Sequence, residues 1–190
     1  MPNIQPRYRK IIHACSLIRP EYEHILEFGT ASGITANYIA EHAPEDKKIF
    51  GFDTFMGLPR HWIDKNGKRV QRRGCFSTSG EIPKIKRVQF FKGLFEDTIP
   101  QYLPIAKPIG LLHIDCDLYS STNDVLYPLN DFIASGTIIV FDEWYYNFDK
   151  FYDDHEQKAF YEWVESRDRK YELVDFDVPE TIEQQIVRIL

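Results

Sequence analysis

Cysteine is scarce in this chain. Cys15, Cys75 and Cys116 are the only three in 190 residues, and no pair has Cys-x-x-Cys spacing. An odd, scattered set argues against a disulfide framework and against a structural zinc site. No apolar run approaches the ~20 residues of a membrane-spanning helix. The opening stretch MPNIQPRYRKIIHAC lacks the apolar core of a secretory signal. A soluble protein in a reducing cytoplasm is expected, with no membrane partner. Positive charge is not in excess: 23 Lys and Arg stand against 29 Asp and Glu, a net of −6. That balance argues against a general nucleic-acid binder. Internal repeats and low-complexity segments are missing too.

What is present is an ordinary globular composition, 43% hydrophobic and 27% charged, in a length that suits one domain over 1–190. The aromatic share of 15% is high enough to supply stacking surfaces as well as a core. Short apolar runs alternate with helix-like stretches. Residues 24–28 (HILEF), 48–53 (KIFGFD), 87–93 (RVQFFKG), 110–115 (GLLHID) and 136–142 (GTIIVFD) read as buried strands. Residues 33–43 read as a helix ended by Pro44. A second helix carries Val125, Leu129 and Phe132 and is shortened by Pro128. Such alternation predicts a parallel sheet covered on both faces. Toward the C-terminus, 153–170 reads as a helix. It opens with Asp153 and Glu156 at capping-box-like spacing, and Phe160, Trp163 and Val164 form its apolar stripe. Two strands, 171–177 and 183–190, follow around a turn at Pro179, a link short enough to make them antiparallel.

Residues 60–87 interrupt this rhythm. They hold nine Lys and Arg against Asp64 and Glu81, a local +7 that leaves −13 for the rest of the chain. The stretch is turn-rich and aperiodic, an irregular basic insertion of the kind that forms a lid or a binding loop. A solvated loop is the plainer alternative. If the loop faces a substrate, an anionic acceptor is expected.

Chemistry-bearing residues collect at the predicted strand ends. Glu27 closes the first strand, and Gly29 and Gly33 bracket the turn into the following helix. A dinucleotide-binding turn would read G-x-G-x-x-G; here Ala31 stands where the middle glycine would be, which weighs against a nicotinamide-dependent oxidoreductase. Asp53 at the end of the second strand is placed to accept hydrogen bonds from ribose hydroxyls. An acid at position 27 suits a ligand with an amino group and a cationic centre, as S-adenosylmethionine has. Asp115 and Asp117 end the fourth strand, and Asp142 and Glu143 end the fifth. In a parallel sheet these ends share one edge, so the acids converge. Oxygen donors of this kind suit Mg²⁺, with Mn²⁺ or Ca²⁺ as substitutes. The same D-x-D pair is also compatible with a glycosyltransferase that uses a nucleotide sugar. A cofactor-binding module without turnover is a further alternative.

The segments LEFGTASG, GFDTFMGLP, GLFEDTIP, LLHIDCDLYSST and IIVFDEW resemble, in order and position, those of the macrocin/mycinamicin O-methyltransferase-like family. The segment Gly74 to Gly80 (GCFSTSG) and the ending QIVRI are similar to its shorter members. The resemblance runs from about residue 20 to the C-terminus. It implies a Rossmann-like class I methyltransferase fold: a mostly parallel seven-stranded sheet ending in an antiparallel hairpin, with helices on both faces. It also implies transfer of a methyl group from S-adenosylmethionine to a hydroxyl of a sugar or other small molecule. Gly29 and its neighbours Thr30, Ala31, Ser32 and Gly33 would approach the methionine part of the cofactor. Thr54 and Phe55 would flank the adenosine, and Leu94, Phe95 and Glu96 would border the adenine. Residue by residue, Asp115, Asp142 and Glu143 would hold Mg²⁺. Asp115 is the preferred base; His113 and His155 are weaker candidates, with His113 better read as a core histidine. The lysine base of catechol-type enzymes is replaced by Leu118. Asp117 is assigned a lesser part, in shaping the loop or touching substrate. Ser121 or Thr122 is expected as a helix N-cap. A homodimer is compatible with this reading.

Overall fold

The computed structural model describes residues 4–64, 66–145, 155–176 and 183–190. Its centre is a seven-stranded sheet in the order β5-β2-β1-β6-β7-β9-β8. The strands are β1 (His24–Phe28), β2 (Lys48–Asp53), β5 (Val88–Lys92), β6 (Ile109–Ile114), β7 (Ile138–Phe141), β8 (Tyr171–Val174) and β9 (Gln185–Ile189). The first five are parallel. β9 runs antiparallel to both β7 and β8. This is the sheet expected from the alternating runs, including its antiparallel end. The proposed turn at Pro179 lies outside the described residues.

Period-two alternation divides each strand between two cores. Leu26, Phe28, Phe50, Phe52, Leu112, Ile114, Ile139 and Phe141 pack against α3 (Phe95–Tyr102), α4 (Tyr119–Leu126) and α5 (Glu156–Ser166). Phe28, Phe52 and Phe91 stack in a row across β1, β2 and β5, with centroids 4.4 and 4.9 Å apart. Ile25, Ile49, Leu111, Ile138 and Val140 face the other way, onto α1 (Pro6–Ser16) and α2 (Ile34–His42). Helix α1 was not foreseen. It starts with Pro6, whose fixed φ suits a first helical position, and buries Ile11, Ala14 and Cys15 on one stripe. Burial of the Ile11 side chain alone contributes about 1.5–3 kcal/mol.

The insertion between β2 and β5 forms a small antiparallel hairpin, β3 (Trp62–Ile63) with β4 (Arg69–Gln71), and is otherwise irregular. Asp64 closes the hairpin, its Oδ1 accepting the N–H of Asn66 and Lys68. The GCFSTSG and DTFMGLP segments turn out to be one unit. Leu58 N–H donates to Cys75 O, Gly74 N–H donates to Leu58 O, and Phe55 O accepts from Thr78 and Gly80. Gly57, at φ +78°, is required there, because a Cβ would sit 2.1 Å from Cys75 O.

Two helix starts differ from expectation. Ser121 and Thr122 lie inside α4, which begins at Tyr119. Thr122 Oγ1 bonds back to Leu118 O, and the free Tyr119 N–H is met by His155 Nδ1 at 3.3 Å. Asp153, and with it the expected capping box, lies outside the described residues; α5 opens at Glu156. Its carboxylate accepts the backbone N–H of Cys116 (3.1 Å) and of Glu143 (3.2 Å), joining the β6 and β7 loops. Among the described residues, no helix is long and apolar enough to cross a membrane.

Candidate active site

In the strand order the chain changes direction between β1 and β6, and an open α/β sheet binds ligands in the crevice at that point. A cleft of about 600 Å³ opens there, within the range of small-molecule sites. On one side it is lined by Gly29, Ala31, Asp53, Thr54, Leu94, Phe95 and Glu96, on the other by Asp115, Asp117 and Glu143. Arg60, Trp62, Val70, Gln71 and Phe76 from the insertion add a third wall.

Asp53 is held by the turns around it. Its Oδ2 accepts Ala31 N–H at 2.8 Å and its Oδ1 accepts Phe55 N–H at 2.6 Å. Each oxygen keeps lone pairs for further donors. Gly29, at φ +93°, lets the β1 turn pass against β6; a Cβ would lie 1.6 Å from the Asp115 carbonyl oxygen. Phe95 packs edge-on against Phe28, 5.0 Å between centroids, and shows its exposed part to the cleft.

Other expected residues lie elsewhere. Phe55, at φ +58°, turns inward, is fully buried and rests edge-on against Phe90. Thr30 is buried, and the described cleft lining takes in Gly29 and Ala31 but not Ser32 or Gly33. His155 is also buried. One ring nitrogen meets Tyr119 N–H and the other stands 3.0 Å from Ile63 O, so its ring ties the hairpin to α4. Of the described basic residues between 60 and 87, Arg60 alone lines the cleft. Among the described residues the lining holds seven acidic side chains against Arg7 and Arg60. This balance among the described lining residues suits a positively charged group on the ligand.

Beneath the cleft runs a line of alternating charge. Glu27 and His113 are paired in strand register, on the face that α1 covers. His113 Nδ1 lies 3.1 Å from Glu27 Oε1, and its Nε2 stands 3.7 Å from Asp142 Oδ1, too long for a hydrogen bond. Asp142 Oδ2 accepts from Arg7 Nη2 at 2.6 Å, and Gln184 donates to Oδ1. Arg7 also stands 3.9 Å from Asp115. Burial opposes charge on His113, but Asp142 and Glu27 outweigh it and push its pKa up to about 10. Asp142 moves the other way: burial is outweighed by His113 and Arg7, and its pKa falls to about 2. The other acids at the ends of β6 and β7 are raised, first by burial and then by one another. Asp115 and Glu143 stand well above the usual range, and Asp117 reaches about 7 under burial and the charges of Asp142 and Asp53. Glu27 is likewise raised by burial, with His113 opposing. One donor atom each from His113, Asp115 and Asp142 fall within 4.8 Å of one another, a group able to hold a metal ion.

Three residues gain weight that their sequence context did not give them. Asp117 lines the cleft in a left-handed conformation, φ +61°, which aims its carboxylate. Arg7 reaches the acids from α1, and Glu156 holds their loops. The D-x-D spacing marked Asp117; nothing local marked the other two.

Residues 26–165 match the family model described as macrocin-O-methyltransferase (TylF). A curated relative from Streptomyces olivaceus, 8-demethyl-8-(2,3-dimethoxy-alpha-L-rhamnosyl)-tetracenomycin-C 4'-O-methyltransferase, is 24% identical over 117 residues, 54% of this chain. The match spans 44% of that relative, so the chain covers less than half its length. A calicheamicin methyltransferase superposes with a TM-score of 0.71 at 21% identity, covering 99% of this chain and 80% of its own. The O-methyltransferase TomG from Streptomyces achromogenes, solved with SAM, gives 0.62 at 14% identity, covering 98% of this chain and 80% of its own. At these identities the superpositions establish the fold.

Proposed function

This chain belongs to the macrocin-O-methyltransferase family, and from that premise we propose that it methylates a hydroxyl of a sugar or sugar-bearing small molecule, with S-adenosylmethionine as donor. The observation that carries this reading is one cleft lined both by the Asp53 and Gly29 turns and by the acids ending β6 and β7. Asp53 keeps acceptor capacity on both oxygens for ribose hydroxyls. Leu94 and Phe95 offer an apolar wall for a base ring. S-adenosylmethionine, when bound, supplies a methyl group made electrophilic by a positively charged sulfur, and the acidic lining suits that charge. Glu27 lies beneath the cleft, beside its lining, as the charge partner of His113.

Asp117 is the proposed base, in place of Asp115. It lines the cleft, and a carboxylate poised near neutrality suits proton abstraction at physiological pH. In the net reaction the acceptor oxygen bonds the methyl carbon while the carbon–sulfur bond breaks. Sulfur keeps the bonding pair, and the hydroxyl proton passes to Asp117. His113 holds Asp142 ionised from below, and Glu156 fixes the two acid-bearing loops by their backbone. The donor set also fits a divalent cation. Asp115 and Asp142 would hold it, with the unpartnered Glu143 Oε2 as third donor. Bound there, Mg²⁺ would lower the pKa of the acceptor hydroxyl as a Lewis acid.

Calorimetry with S-adenosylhomocysteine, NAD and a UDP-sugar, each with and without Mg²⁺, tests the donor. Saturable binding of S-adenosylhomocysteine alone is expected; UDP-sugar binding in its place would favour a glycosyltransferase. Methyl transfer that survives both EDTA and Asp142→Asn would remove the metal from the mechanism.

A further inference from the structure

The acids that would hold a metal already have a cation among them, and it comes from the N-terminal helix. Arg7 Nη2 lies 2.6 Å from Asp142 Oδ2 and 3.9 Å from Asp115 Oδ2, between carboxylates of neighbouring strand ends. These two acids, with His113, form the group able to hold a metal ion. His113 Nε2 faces the same Asp142 carboxylate from beneath. It is fully buried, lacks a hydrogen-bond partner and stands 3.7 Å from Asp142 Oδ1.

We propose that Arg7 is a built-in occupant of the cation position between Asp115 and Asp142, so that a divalent metal and the docked first turn of α1 exclude each other. This rests on the reading of the acids as a metal site and adds what competes for it. A guanidinium forms directional bonds to carboxylate oxygens that a metal would also need, so both cannot use the same oxygens at once. The arrangement of α1 lets the exchange stay local. The Arg7 side chain is 43% exposed, whereas Ile11, Ala14 and Cys15 anchor the later turns in the core. Lys10, one turn on, donates to Gln184 O and marks where the held part begins. In the metal-free protein Arg7 therefore neutralises part of a crowded acid cluster and covers one end of the cleft. Metal entry would release it and open that end.

The test is titration of the full chain with MnCl₂ by calorimetry, in wild type and Arg7→Ala, without cofactor. Loss of a charge-assisted hydrogen bond that competes with the ion predicts about tenfold or more tighter Mn²⁺ binding by the variant. A second readout needs no variant: in wild type, Mn²⁺ is expected to speed amide hydrogen exchange at residues 8–10. Equal Mn²⁺ affinities and unchanged exchange would overturn the competition and leave the metal reading standing. No saturable Mn²⁺ binding by either protein would overturn both.

Discussion

Asp117→Asn separates the proposed chemistry from the fold. Asp117 sits at φ +61°, a conformation that asparagine adopts at lower cost than alanine. The amide is nearly isosteric, so the loop keeps its shape. What changes is charge. Burial and the nearby Asp142 and Asp53 hold the Asp117 pKa at about 7 in the folded protein, against 3.8 ordinarily. A raised carboxylate pKa means that ionisation costs stability, progressively as pH rises from the unfolded to the folded value. At pH 8 that cost approaches ~4 kcal/mol if the neighbours stay fixed, at ~1.4 kcal/mol per pKa unit. Relaxation of the surrounding acids and Arg7 reduces it. The amide is therefore predicted to raise the unfolding free energy at pH 8, in EDTA, by about 1–2 kcal/mol. Asp117→Ala removes the same charge but adds about 1–2 kcal/mol of left-handed strain, so it should stay near wild type. Both variants lose the base, and kcat should fall by roughly 10²–10⁴ with S-adenosylhomocysteine affinity unchanged. Urea unfolding, calorimetry and methyl-transfer rates together decide. A rate within about threefold of wild type would show that Asp117 takes no proton, and a destabilised Asn variant would refute the charge argument.

Other perturbations follow from the same geometry. Gly29→Ala would drive a Cβ to 1.6 Å from the Asp115 carbonyl. A loss of more than about 3 kcal/mol in chemical denaturation is expected, together with loss of S-adenosylhomocysteine binding. His155→Phe keeps the ring but removes both nitrogens that link Tyr119 and Ile63. Proteolysis should then speed up within 62–71, and the acceptor KM should rise more than kcat falls. His24 is buried beside Tyr102, and burial first, then Lys48, depresses its pKa to about 4. The unfolded chain binds that proton more readily, so stability should fall between pH 6.5 and about 4, by up to ~3 kcal/mol. In His24→Gln, urea midpoints should lose less over that range than in wild type.

The strands were legible because burial on both faces writes itself as continuous apolar runs, as in HILEF and GLLHI. The convergence of Asp53, Asp115, Asp142 and Glu143 on one edge then followed from parallel topology alone. The hairpin at 62–71 was not legible, since strands of two and three residues are too short for a period to show. Helix α1 hid its stripe among Arg, Lys and His. Arg7 carries no local sign of its partner, because a contact with Asp142 spans 135 residues and depends on where α1 lies across the sheet. The orientations of Phe55 and Asp117 were not legible, for one reason. Both adopt left-handed backbone, which turns Phe55 into the core and Asp117 toward the cleft, and nothing in their neighbours announces it. His155 looked like a base because histidine often is one, yet both its nitrogens are committed to backbone groups.

The most direct test of the central claim is transfer of an isotope-labelled methyl group from S-adenosylmethionine. The rhamnosyl group in the name of the Streptomyces olivaceus relative makes deoxysugar glycosides the first acceptors to offer. The account predicts label on a sugar hydroxyl oxygen, S-adenosylhomocysteine released in equal amount, and loss of both in Asp117→Asn. Tight S-adenosylhomocysteine binding with no label on any hydroxyl across a broad glycoside panel would contradict it, and would leave a cofactor-binding module without turnover.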